Sequence, residues 1–127
     1  MKLKCLYASS SDCSDAFYIS GVKVPDPYLS LIAGRHKIAI VNQLEYARVK
    51  KESKYTKIYE IETIKAKIVD HYHLAKKEFS LKYFVQYFFE LYKANTILIP
   101  KYFPSFLLLE LQKLKIPIEL SAGSLFP

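Results

Sequence analysis

The segment YASSSDCSDAFYISGVKVPDPYLSL, residues 7–31, decides the fold, because its turn residues divide it into short elements of clear type. It continues a mostly apolar run, Leu3–Ala8, which predicts a first strand. The serines after this run, or Asp12, offer an N-cap for a short helix over Asp15–Tyr18. Gly21 is expected to end that helix, because glycine tolerates the left-handed backbone found just past helix ends.

A stiff extended turn and a hairpin are predicted next. Prolines on both sides of Asp26 fix their own backbone and push the residue before each out of the helical region, so Val24–Tyr28 is expected to be extended. Tyr28–Ala33 and Lys37–Val41 are apolar runs joined by a short link, which favours an antiparallel hairpin. The second run shows little polar alternation, which is typical of a central strand covered on both faces.

A second informative segment, NQLEYARVKKES at residues 42–53, predicts a helix over Gln43–Glu52. Asn42, with Glu45 three residues later, forms the pattern of a capping box. Helical spacing places Leu44 and Ala47 on the inward face and the basic residues in water.

The middle of the chain is predicted to add one strand and one long helix. Lys57–Ile64 alternates in part, with Glu60 and Glu62 on one face, which indicates a strand near a sheet edge. Apolar residues at helical spacing predict a helix over Leu81–Lys93, with Ser80 as its N-cap.

The last third of the chain continues the alternation. Thr96–Ile99 is predicted as a β-branched strand, and Pro104 as the first residue of a helix that carries several leucines. Ile116–Leu120 is expected at an edge, because Pro117 cannot donate to a strand ladder. About six strands with three or four helices between them predict an α/β domain, residues 1–127, with a mixed sheet covered on both faces.

The order and spacing of the motifs resemble the amino-terminal domain of the creatinase and Xaa-Pro peptidase family, which includes aminopeptidase P and prolidase. The motifs are the opening YASS from Tyr7, Gly21, the PDPY turn from Pro25, the EYARVKK helix from Glu45, the IPKYFP segment from Ile99, and the closing SLFP at Ser124–Pro127. The resemblance implies a three-layer αβα domain with a ribonuclease-H-like architecture.

The same resemblance implies a role without catalysis for this chain. In the family, the peptidase chemistry belongs to a second, carboxy-terminal pita-bread domain, which this chain lacks and which holds two divalent metals, manganese or cobalt. The expected contributions of the amino-terminal domain are contacts with its own catalytic domain and with a second copy, and restriction of access to the active site. A freestanding interaction module of the same fold, or the amino-terminal domain of a creatinase-like amidinohydrolase, remain alternatives.

The charge and cysteine content limit the partners. The formal net charge is +7, but seventeen lysines stand against two arginines, whereas recognition of bases and phosphates favours the arginine fork. No specific nucleic-acid binding is therefore expected. Cys5 and Cys13 are predicted to be free thiols, no apolar stretch approaches the roughly 18 residues of a membrane span, and a cytoplasmic location is expected.

No catalytic or metal-binding residue is predicted in this chain. His71 and His73 lack the further ligands that a metal site needs. The serines at 9–11 lack the G-x-S-x-G pattern of a nucleophile elbow, and three glycines in the whole chain cannot supply a phosphate-binding loop. Glu60 and Glu62 alone do not make the Mg²⁺ site of a nuclease.

Two features are candidates for binding. The first is the loop formed by Asp26, Pro27 and Tyr28, a substrate lid or interface loop whose prolines lower the entropy cost of presenting side chains; the alternative is a purely structural turn. The second is a patch formed by Tyr83 and Tyr87, four residues apart and off the main apolar stripe. Ordinary packing against a neighbouring helix is the alternative for these tyrosines.

Overall fold

The chain folds into a mixed six-stranded sheet with helices on both faces. The computed structural model describes residues 1–123 and 125–126. The strands are β1 (Lys2–Ala8), β2 (Tyr28–Ala33), β3 (His36–Val41), β4 (Lys57–Glu60), β5 (Thr96–Ile99) and β6 (Ile118–Leu120). The helices are α1 (Ser14–Ser20), α2 (Gln43–Glu52), α3 (Ile61–Tyr72), α4 (Lys82–Leu91) and α5 (Ser105–Gln112). Of the closing SLFP motif, Ser124 and Pro127 lie outside the described residues.

The strand order is β4-β3-β2-β1-β5-β6. β1, β2 and β3 run antiparallel to one another, and a two-residue turn pairs Ala33 with His36 in the hairpin. Gly34 in this turn has φ 62°, a left-handed conformation that costs glycine little. The pairs β3–β4, β1–β5 and β5–β6 are parallel and are connected through helices.

Strand alternation divides the core into two parts. One side of the sheet packs against α3, α4 and α5, and its buried residues include Leu31, Phe84 and Phe88. The other side packs against α1 and α2, and its buried residues include Ile19 and Val49. These sides are called the α3–α5 face and the α1–α2 face below. The mixed sheet with two helical layers confirms the predicted α/β fold.

The first half of the chain follows the sequence-based predictions closely. The strand before the serines, the hairpin and the helix Gln43–Glu52 are all present. Gly21 ends α1 with φ 71°, and its N–H bonds to the Phe17 carbonyl. Asn42 Oδ1 accepts the backbone N–H of Glu45 at 2.9 Å, which is one of the two hydrogen bonds of the predicted capping box.

The prediction of a strand over Lys57–Ile64 is wrong beyond Glu60. Glu60 caps a helix instead, because its carboxylate accepts the backbone N–H groups of Glu62 and Thr63. α3 starts at Ile61 and buries Ile64, which makes five helices rather than three or four within the described residues. Eight residues are too few for the spacing of apolar side chains to distinguish a strand from a helix. The hydrogen bonds from the first turn of α3 to Glu60 favour the helix.

Two predicted N-caps are also wrong. α1 has Cys13 at its N-cap without a side-chain hydrogen bond, and the serines before it bind the loop around Val24. α4 has Leu81 at its N-cap, and Ser80 accepts a hydrogen bond from Lys82 instead. In both places a tertiary or local partner competes with the helix end for the hydroxyl.

The inward face of α2 was assigned to the wrong residues. Leu44 is 92% exposed and Ala47 is also exposed, whereas Val49 is fully buried. Leu44 and Val49 are five residues apart, about 140° around a helix of 3.6 residues per turn. Only one of them can face the sheet, and Val49 is the one that joins the buried cluster of the α1–α2 face.

Candidate functional site

The Pro-Asp-Pro loop is attached to the start of the chain by two serines. Ser9 Oγ donates to the Val24 carbonyl at 2.8 Å, and the Val24 N–H donates to Ser10 Oγ at 2.7 Å. The Val24 side chain is buried in the α1–α2 face. Both the N–H and the carbonyl of Val24, which leads into the loop, are therefore hydrogen bonded.

Tyr28 anchors the other end of the loop. Its side chain is buried, and its hydroxyl lies 2.9 Å from the Tyr55 hydroxyl. The Tyr55 hydroxyl lies 2.6 Å from Ser30 Oγ, and burial raises the pKa of Tyr55 far above its usual range. Tyr55 therefore stays neutral and hydrogen bonded to Tyr28, so Tyr28 fixes the loop from inside the domain.

The exposed part of the loop is formed by Pro25, Asp26 and Pro27. On its inner side, Pro27 borders a small cavity of about 60 Å³ that Tyr7 and Leu81 also line. Of the three predicted loop residues, Asp26 and Pro27 are thus available to a partner, while Tyr28 holds them in place.

A second polar cluster lies where β1 and β5 end at the same edge of the sheet. Tyr102 donates its hydroxyl to Asp15 Oδ2 at 2.6 Å, and Cys13 Sγ lies 3.4 Å from the same hydroxyl. Burial, with the Asp15 hydrogen bond next, raises the pKa of Tyr102 beyond the physiological range. Tyr102 therefore acts as a hydrogen-bond donor to Asp15 here.

The predicted tyrosine patch is half-buried. Tyr83 lies 6.1 Å from the Phe79 ring, measured between ring centres, and packs against the core of the α3–α5 face. Tyr87 makes edge contacts with His71 at 5.5 Å and with Phe88 at 5.2 Å. The structure therefore places both tyrosines in contacts between α4 and its neighbours, with part of each side chain left accessible.

The histidines and acidic residues that the sequence brought forward do not converge. His71 lies in the last turn of α3, and His73 is its left-handed C-cap with φ 55°. Glu60 is the cap of α3, and the backbone N–H of Glu62 is the leading cause that lowers its pKa. Within residues 1–123 and 125–126, no three His, Cys, Asp or Glu side chains are grouped as metal ligands are.

A cleft of about 590 Å³ lies along the outer edge of β4, between α2 and α3. Its lining comes from all three elements: Gln43, Tyr46, Ala47, Ile58, Tyr59, Glu60, Thr63, Ile64 and Lys67. The sequence-based prediction missed this cleft, because it extended β4 through Ile64 and so removed the helix that forms one wall. Glu60 at the end of β4 was the signal that could have revealed it.

No described helix has the length and apolar content needed to cross a lipid bilayer.

No family model and no curated protein matches the sequence. Solved structures do match. An Xaa-Pro aminopeptidase from Thermotoga maritima MSB8 aligns with a TM-score of 0.66 at 13% identity, over 95% of this chain and 31% of that one. A prolidase from Pyrococcus horikoshii OT3 aligns with a TM-score of 0.57 at 20% identity, over 94% of this chain and 28% of that one.

An Xaa-Pro aminopeptidase from Streptococcus pyogenes aligns with a TM-score of 0.63 at 15% identity, over 94% of this chain and 76% of the solved chain. This chain thus spans less than a third of the Thermotoga and Pyrococcus chains, and the identities are low enough that the likeness concerns the fold. The resemblance found in the sequence motifs is confirmed at that level: the chain has the fold of the amino-terminal domain of Xaa-Pro aminopeptidases and prolidases.

Proposed function

We propose that this chain is the non-catalytic amino-terminal domain of a proline-specific metallopeptidase, an Xaa-Pro aminopeptidase or dipeptidase. The observation that carries the proposal is the coverage: nearly the whole chain aligns, but only 31% and 28% of two larger peptidase chains. The order of sequence motifs from Tyr7 onward supports the same family independently of the coordinates. In the parent protein, two divalent ions, manganese or cobalt, would act in a separate carboxy-terminal domain.

The domain would contribute contacts with its catalytic domain and with a second copy, and would limit active-site access to short peptides. The exposed Asp26 and Pro27 support the restriction of active-site access, because the loop that carries them is held at Val24 and at Tyr28. A loop fixed at both ends loses little entropy when it closes against a substrate. The partly accessible Tyr83 and Tyr87 are the proposed contact between subunits.

The isolated chain tests the absence of catalysis. With added Mn²⁺ and an Xaa-Pro dipeptide, it is expected to hydrolyse no more substrate than buffer does. Hydrolysis at a rate near that of an intact family enzyme would contradict the proposal. The gene tests the larger claim: nucleotides beyond codon 127 should encode an in-frame domain with the Asp, Asp, His, Glu, Glu ligand series, and a stop codon there would remove the peptidase assignment.

The role of the loop is tested in the full-length protein. Asp26→Ala should change the ratio of kcat/KM for dipeptides to that for longer peptides, while Lys23→Ala, also exposed and outside the turn, should leave the ratio unchanged. Equal effects of both variants would argue against a lid. Sedimentation of Tyr83→Ser and Tyr87→Ser variants tests the subunit contact, since weaker association is expected.

A freestanding interaction module of the same fold is the second candidate, and the exposed Asp26 and Pro27 and the partly accessible Tyr83 and Tyr87 are the surfaces that would serve it. If the gene stops after codon 127, the search for a function turns to the binding surfaces of the domain itself. A creatinase-like amidinohydrolase as parent would be distinguished by its substrate.

A further inference from the structure

The outer edge of β4 is an open strand edge. β4 is the last strand at its end of the sheet and pairs in parallel with β3 over four residues. In any edge strand, part of the backbone N–H and C=O groups point away from the sheet and can pair with another strand. Among the residues that the structure describes, no further strand pairs with this edge, which opens into the cleft of about 590 Å³.

The walls of the cleft match the two sides of a strand. Tyr46 and Ala47 of α2 stand on one side of the sheet together with Ile58. Ile64 of α3 stands on the other side together with Tyr59. Because side chains alternate along a strand, a strand added to β4 would place successive side chains against these two apolar walls.

The rim of the cleft is positive. Lys67 of α3 lines it, and Lys50 of α2 lies with its Nζ 5.6 Å from the centre of the Tyr46 ring, on the opposite wall. The carboxylate in the lining, Glu60, accepts hydrogen bonds from the first N–H groups of α3 at 2.8 and 3.0 Å. The amino terminus of that helix therefore offsets the negative charge of Glu60, and the two lysines make the electrostatic potential at the rim positive.

We propose that this edge binds an extended peptide segment of a partner protein, with apolar residues at its centre and Asp or Glu beside them. The segment adds as a strand next to β4, its backbone bonds to the open edge, its apolar side chains contact Tyr46 and Tyr59, and its carboxylates reach Lys50 and Lys67. The inference does not depend on the proposed relationship to peptidases.

A second copy of the chain is a poorer occupant of the same edge. Pairing of two β4 edges would bring Lys50, Lys57 and Lys67 of one copy towards the same residues of the other. The chain also carries a net charge of +7, so two copies repel one another overall. A single acidic segment meets these lysines with the opposite charge.

A peptide-display selection tests the proposal with random short peptides as the probe. The peptides are selected on the wild-type chain and counter-selected on Ala47→Phe, which fills the cleft from an exposed helix position. Far-UV circular dichroism and a urea midpoint establish that this variant is folded. We expect enriched peptides with β-branched or aromatic residues beside Asp or Glu, and amide exchange should slow within residues 57–60 when such a peptide binds.

Matched charge reversals provide the second measurement. Lys50→Glu with Lys67→Glu should weaken the selected peptide about tenfold, in line with the loss and reversal of two exposed ion pairs. Lys76→Glu with Lys101→Glu changes the net charge equally at exposed positions outside the cleft and should have little effect. No enrichment, enriched basic peptides, equal weakening by both double variants, or unchanged exchange in β4 would each overturn the proposal.

Discussion

The two faces of the sheet are held together by different physical means. The α3–α5 face is packed with hydrocarbon, and two phenylalanines of α4, Phe84 and Phe88, are among its largest buried side chains. The α1–α2 face has smaller apolar residues and a buried set of hydroxyls in which Tyr55 bonds to Tyr28 and Ser30. Within the part of the chain that the structure describes, every fully buried side-chain nitrogen and oxygen has a hydrogen-bond partner.

This difference explains where the candidate loop lies. Hydrocarbon packing is not directional, so the α3–α5 face stabilises helices without fixing any particular backbone atom. Hydrogen bonds are directional, and those of Ser9, Ser10 and Tyr28 fix individual atoms around the Pro-Asp-Pro turn. The face with less hydrocarbon is therefore the one that positions the exposed loop.

Removal of a phenylalanine ring from the α3–α5 face should have the largest effect on stability. Phe88→Ala is expected to lower the free energy of unfolding by about 3–5 kcal/mol, because it deletes a fully buried ring and leaves a cavity. Urea unfolding measures the change. Leu91→Ala, on the same helix but 53% exposed, is the control and should cost much less. A similar cost at both positions would show that this face is not closely packed.

Loss of a hydroxyl from the α1–α2 face should lower the free energy of unfolding less than Phe88→Ala does, but should disorder the loop more. Tyr55→Phe leaves the ring and removes the oxygen between Tyr28 and Ser30, so a loss of about 1–3 kcal/mol is expected. Adding Ser30→Ala should cost less than the sum of the single changes, because both act on one network. Tyr18→Phe, at an exposed ring, is the control. Strict additivity would argue against a coupled network.

The cap of α3 predicts a pH-dependent contribution to the α3–α5 face. Hydrogen bonds from the Glu62 N–H and from Thr63 lower the pKa of Glu60. The folded state therefore stabilises the ionised carboxylate more than the unfolded state does. Its stabilisation is present above the unfolded pKa of about 4.3 and is lost as the pH falls through the lower folded value.

Glu60→Gln should accordingly lower the urea midpoint at pH 7, and the difference from wild type should shrink as the pH falls below about 4. Glu62→Gln is the control, because Glu62 contributes its backbone N–H rather than its side chain to the cap. A difference that is constant from neutral to acidic pH would mean that the charge of Glu60 plays no part in the cap.

The smallest effect is expected on the outer side of α2. Leu44→Ala should change the free energy of unfolding by no more than about 0.5 kcal/mol, because the leucine is almost fully exposed. Val49→Ala, on the buried side of the same helix, should cost about 2 kcal/mol. If Leu44→Ala proves the more costly of the two, Leu44 is buried in solution rather than exposed.

Local signals predicted the elements well where one residue type carried a strong preference. Gly21 ended a helix, Asn42 began one, and Pro117 preceded an edge strand. Predictions were wrong where a side chain had two available partners. Ser80 could have capped α4 but accepts from Lys82, and Glu60 could have continued a strand but caps α3.

The candidate sites were less predictable than the elements. Asp26 and Pro27 are exposed as the turn chemistry indicates, whereas the burial of Tyr28 depends on Tyr55, which lies in another loop. The cleft beside β4 requires α2 and α3 to stand on opposite faces of one strand. Glu60 gives a local signal for the start of α3, but the contact between Tyr28 and Tyr55, 27 residues apart, leaves no local pattern.

The amino-acid sequence by itself determined the order of strands and helices apart from α3, and the mixed sheet, because these follow from short-range spacing of apolar residues, prolines and glycines; the order of its motifs carried the resemblance to the peptidase domain. Tertiary structure alone decided which side of α2 is buried, where the hydroxyls of Ser9, Ser10 and Tyr28 find partners, and that a cleft lies beside β4. These outcomes depend on competition between distant groups for the same surface or the same hydrogen bond, and that competition takes place only in the folded chain.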